Sequence, residues 1–109
     1  MKEYQPVRDA GRVLPREIYY ECIWIVRDMA RMQEIVNRTG YEGREFEVAR
    51  DRLECINKAL MAVPPEYRRG VMASIENRGG RVMDYAHENT WKKYKQRFVY
   101  NLAKNLALY

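Results

Sequence analysis

The sequence predicts an all-α protein: an antiparallel helical hairpin followed by a helix-turn-helix-like C-terminal half, with four main helices and one short one. Two observations predict this. Apolar residues recur at three- and four-residue spacing through every long stretch, and the proline and glycine clusters fall where one such stretch gives way to the next. With 109 residues, 47% of them apolar and 32% charged, the chain is expected to form a single domain over residues 1 to 109.

The first helix starts at Pro15, whose fixed φ suits a first turn. Ile18, Cys22, Ile25, Met29, Met32 and Val36 then form one helical face, widened by Tyr19, Ile23, Val26 and Ala30, with Tyr20 and Trp24 at its margins. A stripe this broad exceeds what one partner helix covers. The helix is therefore expected either at the centre of the fold or in a dimer interface.

"NRTGYEG", residues 37 to 43, ends that helix, and a second opens near Arg44, where Glu42, Glu45 and Glu47 suit the positive end of its dipole. Phe46, Ala49, Leu53, Ile56, Leu60 and Val63 keep the helical spacing. The short connection predicts that 15 to 36 and 44 to 63 pair as an antiparallel scaffold hairpin. Pro64 stops the second helix and Pro65 opens a third, with Tyr67, Val71, Met72 and Ile75 on its apolar side and Arg68 and Arg69 pointing elsewhere.

"NRGG", residues 77 to 80, ends the third helix, and "RVMDYAH", residues 81 to 87, fits a short helix better than a strand. Asn89, or else Thr90, is expected to cap the last helix, with Glu88 beside its positive terminus. Residues 65 to 108 thus make the helix-turn-helix-like region, with "HEN" as its turn.

The formal charge of +5 is unevenly spread. Residues 1 to 57 hold 10 Lys/Arg against 11 Asp/Glu, whereas 58 to 109 hold 10 against 4, and no acidic side chain follows Glu88. Such a basic half suggests a polyanionic partner. On a wheel of about 100° per residue, Trp91, Tyr94, Phe98, Leu102 and Leu106 share one arc, and Lys93, Arg97, Tyr100 and Lys104 lie opposite. Lys92 and Gln96 fall on a flank, and Lys95, near the apolar arc, should lay its stem over apolar surface with its ammonium in water.

This arrangement points to double-stranded DNA as partner. Lysine and arginine neutralise phosphates, while Arg97 and Gln96 are suited to base edges in the major groove. Arg78 and Arg81 beside the glycine turn, Thr90 at the helix start, and Lys92, Lys93, Tyr100 and Lys104 complete the candidate nucleic-acid-binding set.

Other classes fit less well. The single histidine, His87, lies in no metal-binding or catalytic pattern, and there is no phosphate-binding loop, so neither an enzyme, a cofactor nor a metal site is expected. Cys22 and Cys55 sit among apolar residues and read as buried free thiols. Neither a spanning segment nor a signal peptide is evident, which predicts a cytoplasmic protein away from the membrane. The main rival is a helical adaptor of the phage-assembly kind, a homodimer joined through the first helix.

"ALMAVPPEYRRGVMASI" followed by "AHENTWKKYKQRFVYNLAKNLAL" resembles the C-terminal part of small phage and prophage regulators of the ArpU/RinA type, which control late phage genes and are themselves similar to the helix-turn-helix of sigma-factor region 4. The likeness covers roughly residues 59 to 108, is a spaced pattern rather than an invariant motif, and departs from the family in the longer interval between Ile75 and Asn89. It implies regulation of transcription through DNA, with RNA polymerase as a second candidate partner, and "NTWKKYKQRF" as the reading helix.

Overall fold

The computed structural model describes residues 11 to 38, 43 to 76 and 88 to 109. Apart from 3-10 geometry at 11 and 12, the regular elements among them are α-helices: α1 (Arg16–Arg27), α2 (Met29–Asn37), α3 (Arg44–Met61), α4 (Pro65–Glu76) and α5 (Glu88–Asn105). The short helix expected over 81 to 87 lies outside the described residues.

The expected first helix is two helices. At Asp28 the backbone turns to φ −89° and ψ 5°, away from the helical ψ near −42°. The Asp28 N–H is shared between the carbonyls of Trp24 (3.1 Å) and Ile25 (3.2 Å). Its carboxylate accepts from Arg31 Nε and Nη2, the closest contact being 2.6 Å. Aspartate favours such local bonds over helix interior, which suits it to the point where one helix gives way to the next. The apolar spacing runs on through the bend, which is why periodicity alone does not register it.

The bend divides the packing. α2 lies against α3, whereas α1 lies against α4 and α5; α3 and α4 each pack on α5 as well. α5 therefore touches α1, α3 and α4 and forms the hub. The broad stripe of α1 is consumed by its own chain: Tyr19, Cys22, Ile23, Ile25 and Val26 are buried in one core with Ile56, Val71, Ile75, Phe98, Val99 and Leu102. Each large side chain removed from water in this way contributes about 1.5–3 kcal/mol before entropy is counted.

Arginines close two helix ends. Arg68 Nε donates to the carbonyls of Val63 (2.8 Å) and Leu60 (3.1 Å), and its Nη2 to Met61 (3.1 Å), covering the exposed acceptors at the end of α3. Arg27 Nε donates to Ile75 O (2.8 Å) in the last turn of α4. Cys55 and Asn105 clasp α3 to α5 reciprocally, the thiol donating to Asn105 O (3.3 Å) and Asn105 Nδ2 to Cys55 O (3.2 Å).

Candidate nucleic-acid interface

α5 begins at Glu88, so Asn89 and Thr90 lie inside its first turn rather than at its cap, and "HEN" is not the turn: Glu88 and Asn89 are already helical. His87, and with it Arg78 and Arg81, lies outside the described residues.

The buried arc of α5 comprises Lys95, Gln96, Phe98, Val99, Leu102 and Ala103, with Trp91, Tyr94 and Leu106 half-buried at its edges. Compared with the wheel, the arc is rotated by roughly 60° toward Val99 and Ala103. The cause is that α5 packs on three neighbours, so it must bury more of its circumference than an edge helix does.

Two polar side chains are carried inward by that rotation. Gln96 is 2% exposed, and its Nε2 donates to Arg12 O at 3.4 Å, tying the segment before α1 to α5. A side chain so placed is a tether, and its reach toward a base edge is corrected accordingly. Lys95 is 8% exposed, more enclosed than the wheel suggests.

The other side of α5 carries the remaining candidates together. Lys93 and Lys104 are exposed, and Arg97 and Tyr100 between them are half-buried, at the four-three-four spacing that aligns them along one strip. Thr90 and Lys92 are half-buried near the N-terminal end. From Lys93 to Lys104 the rise is about 16 Å, comparable with the ~12 Å width of a B-DNA major groove.

Aromatic rings hold the two exposed ammonium groups. Lys93 Nζ stands 5.8 Å from the Tyr94 ring, which itself packs at 4.7 Å on Tyr67 of α4. Lys104 Nζ lies between Tyr109 (5.0 Å) and Tyr100 (5.5 Å), whose rings meet edge-on at 6.2 Å. Electron-rich ring faces attract a cation, so both lysines are steered by rings, and among the described residues neither forms an ion pair with a carboxylate. Tyr109, absent from the sequence-based set, is brought to Lys104 by the turn after α5. The feature that could have revealed it is the i, i+5 placement of an aromatic past a helix end.

That turn is a Schellman motif. Ala107 takes φ 58°, its N–H donates to Lys104 O (3.0 Å), and Leu108 N–H donates to Ala103 O (2.9 Å). Among the described residues no group of three or more His, Cys, Asp and Glu side chains is placed to hold a metal ion, and no helix is long and apolar enough to cross a membrane.

No family model matches this chain, and no curated protein or solved structure matches it either.

Proposed function

We propose that this protein binds double-stranded DNA through the outward strip of α5, with α4 and α5 acting as a helix-turn-helix-like unit, and that it acts as a phage-type transcriptional regulator. The observation that carries the proposal is the strip itself. Lys93, Arg97, Tyr100 and Lys104 line up on one side of an 18-residue helix, and no acidic side chain occurs from Asn89 to Tyr109. In this reading Lys93 and Lys104 meet phosphates on the two walls of the groove, and Arg97 and Tyr100 face its floor.

Packing supports it from behind. A helix braced by α1, α3 and α4 holds its outward side chains on a rigid support, which a recognition surface requires. The ArpU/RinA resemblance of the C-terminal half adds RNA polymerase as a candidate second partner. Replacing Lys93 and Lys104 together with alanine should weaken DNA binding and reduce the steepness of its salt dependence by about two ions, with an unchanged melting temperature. DNA affinity that is the same in this variant as in the unaltered chain would remove the proposal.

A further inference from the structure

The C-terminal end of the α5 strip carries a cluster that groove binding leaves unused. Lys104 Nζ stands 5.0 Å from the Tyr109 ring and 5.5 Å from that of Tyr100, and the two rings meet edge-on at 6.2 Å. Tyr109 is 52% exposed, yet its place is set: the Schellman turn fixes the backbone just before it, and Leu108 packs against the core. A large ring held in the open by a turn, a cation and a second ring loses little freedom when something stacks on it.

Ammonium and ring together narrow what fits. The ammonium attracts a phosphate and the ring stacks on a flat π system, and a nucleotide carries both groups on one unit. An aliphatic side chain would use the ring and give the ammonium nothing. A carboxylate would do the reverse. No acidic side chain occurs from Asn89 to Tyr109, so a strand passing here meets no repulsion from α5. A base inside duplex DNA has both faces covered by its neighbours, whereas an unpaired base can turn a face outward.

We infer that Tyr109 and Lys104 form a stacking site for an unpaired nucleotide, Tyr109 taking the base and Lys104 its phosphate, so that the preferred DNA is one in which duplex gives way to single strand. Tyr109 lies beside Lys104, which in the groove reading meets one wall, so a strand leaving the duplex there passes the ring. The inference rests on the reading of the α5 strip as a DNA surface and adds to it a substrate class, the junction of duplex and single strand.

Fluorescence anisotropy of the full chain with three kinds of labelled DNA tests it. One is a blunt duplex, one is the same duplex with a tail of about five thymidines on one strand or the other, and one has that tail abasic, which keeps the phosphates and removes the base faces. The expected result is that the thymidine tail binds at least about fivefold tighter than the abasic one, the low end of what one stacked base contributes. Tyr109→Ala should bring that ratio to about one, and Tyr109→Phe should keep it, because the phenyl ring still stacks. Thermal melts establish that both variants are folded. With the blunt duplex still bound, equal affinity for the two tails, a ratio unchanged in Tyr109→Ala, or a ratio lost in Tyr109→Phe would each overturn this inference alone. Absence of binding to every probe would overturn the DNA reading and the stacking site with it.

Discussion

Ala107 holds a left-handed backbone, φ 58°, that costs a residue with a β-carbon about 1–2 kcal/mol and costs glycine almost nothing. Ala107→Gly should therefore raise the stability of the protein, by about 1 kcal/mol after the greater entropy of glycine in the unfolded chain is deducted. Denaturant unfolding measures it, and a loss of stability would mean that the Schellman turn is not what ends α5. The cysteines permit a second test. Burial, helped by nearby Glu21, pushes the Cys22 thiol up to about 12, and burial raises Cys55 by less. In native protein at neutral pH, a thiol-specific reagent should modify half-buried Cys55 slowly and Cys22 only on unfolding. Fast labelling of Cys22 would contradict its place in the core. Both were legible in the sequence as free thiols among apolar neighbours, but the burial expected of both holds for Cys22 alone, Cys55 being half-buried. The burial of Gln96 was not legible, because a glutamine on the flank of a wheel looks solvent-facing until a third packed helix rotates the core arc over it.

At the scale of the helices, the starts at Arg44 and Pro65 follow from local chemistry, acids in a first turn and a proline that opens one. The bend at Asp28 does not, since one altered ψ leaves the apolar repeat intact. The hydrogen bond and charge of Arg31 lower the Asp28 carboxyl below its ordinary value. A carboxyl shifted down in the folded state adds stability that is complete above the unfolded value of about 3.9 and disappears as pH falls through the folded one. The gap in melting temperature between the natural chain and Asp28→Asn should thus be present at neutral pH and shrink in acid, as pH falls below the ordinary carboxylate value and through the lowered folded one. A gap of the same size at both would place the bend's stability elsewhere. The end of α3 gives a further prediction. Arg68 donates three charge-assisted bonds to carbonyls around the end of α3, so Arg68→Ala should cost about 1.5–3 kcal/mol by denaturant unfolding. A change under about 0.5 kcal/mol, the level of an ordinary surface substitution, would show that solvent satisfies those carbonyls equally well. Nothing in "EYRRG" distinguishes Arg68, the clamp, from exposed Arg69, since the difference lies in where α3 ends relative to α4.

For the molecule as a whole, the all-helical class was legible because every apolar repeat has the helical period. Which cations are available to a partner was not, because that depends on tertiary packing. Arg27 and Arg68 are spent on helix ends, Lys95 is enclosed, and the exposed remainder of α5 narrows to Lys93 and Lys104 with Arg97 and Tyr100 between them. The charge of +5 over the chain is thus less informative than the side of one helix on which it is left standing. The most direct test is a gel-shift titration of the full chain with random and phage-derived duplex DNA at two salt concentrations. The account predicts binding at low salt that weakens as salt rises, with a log–log slope of about −2 or steeper, as the phosphates met by Lys93 and Lys104 require. Absence of binding to either duplex at low salt, or affinity that does not change with salt, would contradict it.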